Sequence, residues 1–183
     1  IYFIGLAIAQ LFFGPLSDWF GRKPVLYIGI SIYLIGAIGS ALAPSFSLLM
    51  TARFVWGIGA AGSRVVAVAI IRDSFEGNRM AKAMSEIMAV FVLVPIVAPA
   101  LGAGIIAIFP WQGIFWFCVI WAVAIGAWSL RLSETLNPAY RTKVNLKTTL
   151  RGYKRVCTTR IPATYTVASI FLQAIFVLYL SAS

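Results

Sequence analysis

The sequence has few charged residues and lacks the side-chain sets that most enzymes use. Histidine is absent, Asp and Glu together number five, and charged residues make up 11% of the 183, against roughly a quarter in soluble domains. The two cysteines, Cys118 and Cys157, have no spacing that would bind a metal or staple a small secreted fold. Enzyme chemistry is disfavoured because the apolar runs hold no pair of carboxylates. We expect no catalytic residue and no metal site.

Long apolar runs fill most of the chain instead. Hydrophobic residues make up 61% of the sequence, and the mean hydropathy is +0.94. Residues 24–52 and 87–130 carry no charge, and an apolar run of about 20 residues is the length that crosses a hydrocarbon core. The sequence therefore predicts an all-α polytopic membrane protein. Because the chain begins at Ile1 and stops at Ser183 within apolar runs, we interpret it as a fragment.

Six crossings account for these runs. Proline, glycine and an interfacial tryptophan at 109–113 divide the second run into two helices. The predicted domains are an N-terminal bundle at 1–130, a basic cytoplasmic loop at 131–160 and a further helix at 161–183. Within the bundle, helices are expected at about 1–16, 24–43, 47–71, 83–107 and 113–130.

Basic residues are confined to alternate connections. Thirteen of the fifteen Lys and Arg lie at 18–23, 72–82 and 131–160, whereas the connections at 44–47 and 109–113 carry none. The positive-inside rule places the three basic connections in the cytoplasm. The net charge of +10 thus faces the anionic lipid leaflet, and no nucleic-acid partner is expected. Apolar residues at helical spacing within 146–157 fit an amphipathic helix on that leaflet, and a disordered linker is the alternative.

The first basic connection, GPLSDWFGRKP, has an ordered set of residues. Gly14 and Gly21 permit a backbone reversal with close helix approach, Asp18 can cap or pair, and Arg22 and Lys23 anchor the cytoplasmic face. Composition alone favours a generic positive-inside turn. The order of residues, however, resembles the signature G-x-L-[SA]-D-x-x-G-R-[KR]-x, which the major facilitator superfamily carries between its second and third helices.

Other stretches share this resemblance. Residues 53–61 look like the family's fourth-helix pattern R-x-x-Q-G-x-G-A, with Trp56 in place of the glutamine. Residues 95–103 are similar to the proline-glycine signature of exporters, although two of its common glycines are alanine here. Residues 111–117 and 133–136 resemble the bicyclomycin and chloramphenicol resistance branch. The resemblance implies the major facilitator fold from second to seventh helix: an N-terminal bundle without its first helix, and the start of the C-terminal bundle.

Two arginines lie within the third predicted helix. A charge inside the membrane is by default a functional candidate, although Arg53 could also snorkel to the outer interface. The resemblance implies that Arg53 faces a central cavity and takes part in proton coupling, with Gly57 beside it. Arg64 shares this face, since eleven residues bring it to about 20° from Arg53. We expect an ion pair between Arg64 and Glu86, and the alternative is that Arg64 points into the cavity and favours an anionic or zwitterionic substrate.

Three further groups of residues are candidates. Gln10 either lines the cavity or makes a hydrogen bond between helices. The resemblance implies a cytoplasmic charge cluster that latches the two halves of the transporter, whereas solvated surface charge is the alternative. The third group would form a kinked, tightly packed helix that limits leakage. The alternative is a kink with a merely structural role. The latch residues are Gly14, Asp18, Gly21, Arg22, Lys23, Arg72 and Asp73, and the kink residues are Pro95, Pro99, Gly102 and Gly104.

The resemblance implies a proton-coupled exporter of drugs or small amphipathic molecules that works by alternating access. The alternatives are a metabolite importer or facilitator on the same scaffold and, from another class, a receptor or membrane enzyme. We expect a bacterial inner-membrane location, no cofactor beyond the proton gradient, and a monomer at full length. Apart from Glu86, no carboxylate lies within a crossing, so a titrating acid is expected in a first helix upstream of Ile1.

Overall fold

The computed structural model describes residues 1–136 and, beyond them, residues 151, 158–159, 162, 164–172 and 174. The chain divides into two units, Ile1–Lys143 and Val144–Ser183. In the second unit, residues 164–172 are helical. The predicted amphipathic helix at 146–157 and the remainder of the predicted helix at 161–183 lie largely outside the described residues.

Five helices make up the described part of the first unit, and all are long and apolar enough to cross a membrane. This confirms the all-α polytopic fold. Helix α3 packs along α1 and α2, and α5 packs against α2, whereas α4 has no buried residue. The helices are α1 Tyr2–Phe20, α2 Arg22–Ala41, α3 Phe46–Ser74, α4 Gly77–Ile108 and α5 Gln112–Ser129.

The helices are longer than the uncharged runs, because they continue into the charged residues at their ends. A single residue, Gly21, separates α1 from α2, and its φ of 105° explains why glycine stands there. Only Phe75 and Glu76 separate α3 from α4, so most of the expected polar loop at 73–82 is helical. The physical reason is that a helix can continue past the hydrocarbon core into the headgroup region, where charged side chains are solvated.

Small residues set the spacing between α3 and its neighbours. A Cβ on Gly57 would collide with the backbone of Tyr2 in α1, and one on Gly59 would collide with the backbone of Tyr33 in α2. Lipid gives helices no hydrophobic reason to associate, so close backbone approach and van der Waals contact must hold them together. The predicted close approach at Gly14 is wrong, because a Cβ there meets nothing within 4 Å.

Candidate functional site

The basic connections meet at one end of the bundle around a buried arginine. The Arg22 Nε donates to Asp73 Oδ2 at 2.7 Å, and Nη1 donates to Asp18 Oδ1 at 2.5 Å and to Ser17 Oγ at 2.6 Å. Arg22 is only 8% exposed. We call these four residues the Arg22 cluster. It joins the end of α1, the start of α2 and the end of α3.

Local folding explains why the cluster forms. Gly21 turns the chain directly after α1, so the first residue of α2 returns to the last turn of the preceding helix. Ser17 is fully buried, and its hydroxyl donates to the carbonyl of Gly14 at 2.8 Å while accepting from Arg22. The two carboxylates neutralise a guanidinium that would be costly to bury alone.

The predicted latch residues differ in the contacts that they make. Arg22 and Asp73, two members of the charge cluster that the resemblance implies, are in contact. Lys23 lies beside the cluster, and its Nζ donates to the carbonyl of Leu130 at 3.3 Å. Arg72 is exposed and forms no salt bridge with any residue that the structure describes. The role of the cluster as a latch stays a prediction.

Sequence reasoning missed a third acid at this end, Glu134. Its carboxylate accepts the backbone N–H of Arg22 at 2.9 Å and that of Lys23 at 3.1 Å. The signal that could have found it is its position, because it follows the uncharged α5 and is one of only five acidic residues in the chain. A carboxylate at a helix N-terminus interacts favourably with the unpaired N–H groups and the positive end of the helix dipole.

Arg53 lies near the opposite end of the bundle, where α3 begins. Its guanidinium carbon is 4.9 Å from the ring centroid of Phe115 and 5.6 Å from that of Trp56. Within the described residues, its Nε is buried and has no hydrogen-bond partner. Trp56 is nearly buried and meets the rings of Tyr2 and Tyr33 edge to face. The arginine is thus packed among aromatic rings, and its role in proton coupling stays a prediction.

The predicted ion pair between Arg64 and Glu86 is wrong. Both residues are exposed, and no salt bridge joins them within the part of the chain that the structure describes. The Arg64 guanidinium instead lies 5.1 Å from the ring centroid of Phe91 on α4. Its charge is directed at an aromatic face more than a helical turn beyond Glu86, and this cation–π contact substitutes for the carboxylate.

Arg64 also lines an apolar cavity of about 640 Å³ between α2, α3, α4 and α5. Its polar side chains include Tyr33 and Ser63, and its apolar lining includes Ile30, Phe91 and Trp121. The placement of Arg64 at this cavity agrees with the alternative interpretation, in which Arg64 points into a cavity and not at Glu86. The preference for an anionic or zwitterionic substrate stays a prediction.

The candidates on α4 and α1 lie in looser surroundings than expected. Helix α4 continues through Pro95 and Pro99, and a Cβ on either Gly102 or Gly104 would meet nothing within 4 Å. The expected tight packing at these glycines is therefore wrong within residues 1–136, because no neighbour approaches this face of α4. Gln10 is half-buried on α1 and makes no hydrogen bond with a described residue. Its role at a cavity stays a prediction.

Comparison with known proteins agrees with these features. The chain matches the Major Facilitator Superfamily over residues 1–182. It is 38% identical, over 139 residues, to the multidrug resistance protein MdtL of Escherichia coli O81 (strain ED1a) and to that of E. coli O6:H1. It is 37% identical to the MdtL of Shigella dysenteriae serotype 1.

Each of these alignments covers 76% of this chain and 36% of the relative, so the chain spans little more than a third of the length of the curated relatives it matches. The family match, in contrast, extends over nearly the whole sequence. The five apolar helices fit a multi-pass membrane protein. The chain therefore belongs to the major facilitator superfamily, a family of membrane transporters and not of enzymes.

Proposed function

We propose that the whole protein exports drugs or other small amphipathic molecules across a bacterial inner membrane by alternating access, driven by protons. The observation that carries this proposal is the buried Arg22 cluster in a chain that is 38% identical to a multidrug resistance protein. A buried charge network at the ends of three helices joins those ends, so that they can move as one body when the transporter changes state.

The Arg22 cluster supports alternating access by joining the ends of three helices. Asp18 and Asp73 come from α1 and α3, and both bind one guanidinium at the start of α2. The contacts hold these three helix ends together as one unit on the cytoplasmic side. A transporter that rocks between two states needs such rigid units, so that binding energy moves whole bundles and not single helices.

The aromatic surroundings of Arg53 support a coupling role. An arginine with a buried, unpartnered Nε within the described residues retains the capacity to bind an acidic or polar group. The aromatic rings of Trp56 and Phe115 hold its guanidinium without neutralising its charge. A proton-carrying acid that comes within reach of this side chain would have its ionised form stabilised.

Efflux from loaded cells tests this function. The whole protein is expressed in bacteria lacking their own drug exporters, and the loss of a preloaded fluorescent lipophilic cation is followed with and without a protonophore. We expect active efflux that stops when the proton gradient collapses. Efflux no faster than in cells that carry the empty vector contradicts the proposal. Equilibration of the cation in both directions without a proton gradient would indicate a facilitator.

A matched pair of variants tests the role of Arg53. Arg53→Leu is expected to abolish proton-driven efflux while leaving the protein in the membrane. Arg131→Leu is the control, because Arg131 also lies over an aromatic ring, that of Trp128 at 5.3 Å, but both residues are exposed at the other end of α5. Equal loss of efflux in the two variants would contradict a specific coupling role for Arg53.

A further inference from the structure

The carboxylate of Glu134 is bound on three sides by backbone N–H groups. Oε1 accepts from Arg22 N at 2.9 Å and from Leu136 N at 3.1 Å, and Oε2 accepts from Lys23 N at 3.1 Å. Both oxygens are therefore used. The first N–H groups of a helix have no partner within the helix, so this acid caps α2 although more than a hundred residues of sequence separate them.

Two further hydrogen bonds connect the same two segments. The Lys23 ammonium donates to the carbonyl of Leu130, and the Tyr27 hydroxyl donates to the carbonyl of Ser129 at 3.0 Å. Both carbonyls lie at the C-terminal end of α5, where the last carbonyls of a helix lack intrahelical donors. Hydrogen bonds from Lys23 and Tyr27 to these carbonyls, together with those that Glu134 accepts, thus join the exit of α5 to the start of α2.

This arrangement has a consequence for the Arg22 cluster. The residue whose guanidinium binds Asp18 and Asp73 is the same residue whose backbone N–H donates to Glu134. A side chain that must reach two carboxylates at 2.5 and 2.7 Å requires a fixed backbone, because small displacements weaken charged hydrogen bonds sharply. Two of the hydrogen bonds that Glu134 accepts come from the backbone of the first turn of α2, so through them it acts on the position of α2.

We propose that Glu134 is a positioning residue, which ties the segment leaving α5 to the first turn of α2 and thereby holds the Arg22 guanidinium between its two carboxylates. This inference rests on the proposed function, since it assigns to the Arg22 cluster a role in the transport cycle.

Amide hydrogen exchange of the whole protein tests the tie itself without any substrate. Glu134→Ala is expected to raise exchange at the amides of Arg22 and Lys23 by roughly 3- to 30-fold, the range that follows from loss of an N-cap. Glu134→Gln retains one carbonyl acceptor, so it should protect one of these amides and not the other. The control is Glu76→Ala, which removes an exposed acid at the start of α4 whose side chain makes no capping hydrogen bond.

Efflux kinetics then test positioning. Glu134→Ala is expected to lower the maximal efflux rate while the half-saturating drug concentration stays unchanged, because Glu134 lies outside the cavity lining. In an Arg22→Ala background the same substitution should cause no further loss, since the two residues act as one unit. Glu134→Gln should recover part of the rate, and Glu76→Ala should match the wild type.

The outcomes separate this inference from the proposed function. Unchanged exchange at Arg22 and Lys23 in Glu134→Ala overturns the tie, and raised exchange with wild-type efflux overturns the positioning role. Additive losses with Arg22→Ala also overturn it, because they indicate independent actions. Wild-type efflux in Arg22→Ala would instead refute the role of the Arg22 cluster as a latch. Absence of drug efflux in the wild type would refute the proposed function. In either case, amide hydrogen exchange still decides whether Glu134 ties the segment after α5 to α2.

Discussion

Replacing Asp73 with asparagine removes the charge from the more buried of the two carboxylates that hold Arg22. The Asp73 side chain is 24% exposed and that of Asp18 is 48% exposed, against 10% for Arg22. Exposed ion pairs contribute about 0–1 kcal/mol, and hydrogen bonds to charged groups about 1.5–3 kcal/mol. We therefore expect Asp73→Asn to destabilise the protein by about 1–2 kcal/mol, and Asp18→Asn by less than about 1 kcal/mol.

Arg22→Lys extends the same prediction to geometry. Lysine keeps the charge, but its single nitrogen cannot reproduce the separate Nε and Nη1 donors that reach Asp73 and Asp18. The expected order of destabilisation is Arg22→Ala, then Arg22→Lys and Asp73→Asn, then Asp18→Asn. Arg22→Ala is the most severe because it leaves two neighbouring carboxylates without their shared cation.

The assay measures thermal unfolding of the purified whole protein together with the efflux rate in vesicles. If the cluster holds these helix ends together during transport, the efflux rate should fall in the same order as the stability. Equal effects of Asp18→Asn and Asp73→Asn would refute the argument from burial. Stability losses without any change in efflux would indicate a structural cluster with no role as a latch.

Two further predictions concern packing inside the bundle. Gly36→Ala is expected to lower the thermal stability and the folded yield, because its Cβ would collide with the backbone of α3. The control Gly102→Ala should be neutral, because a Cβ there meets nothing within 4 Å. Equal effects of the two variants would contradict the close approach of α2 and α3. Phe115→Leu removes the ring nearest the Arg53 guanidinium and should cost about 1–2 kcal/mol in thermal unfolding, whereas Phe117→Leu on the exposed side of α5 should cost less than about 0.5 kcal/mol.

The fold could be predicted because its signals are strong and repeated. Apolar runs of crossing length and the alternation of basic and uncharged connections depend on many residues at once, so single departures such as Trp56 do not disturb them. Helix ends were predicted less well. Asp18 and Arg79 lie within helices, because charge marks the boundary of the hydrocarbon core and not the end of hydrogen bonding along the helix.

The site could be predicted only in part, and the difference lies in how local each contact is. Arg22 and Asp18 are four residues apart, and Asp73 ends a neighbouring helix, so the pattern brings them together. Glu134 caps α2 from more than a hundred residues away, and no spacing rule connects the two. The pairing of Arg64 with Glu86 failed for another reason: charge alone suggested a partner, while Phe91 on α4 offered an aromatic face.

The small number of acidic residues gives these contacts a common explanation. Of the five Asp and Glu in the chain, Asp18, Asp73 and Glu134 gather at one end of the bundle around Arg22 and the start of α2. Three other arginines lie over rings instead: Arg53 over Trp56 and Phe115, Arg64 over Phe91 and Arg131 over Trp128. A ring stabilises a cation without neutralising it. The carboxylates therefore hold the helix ends together, whereas these three arginines lie over rings that leave their positive charge in place.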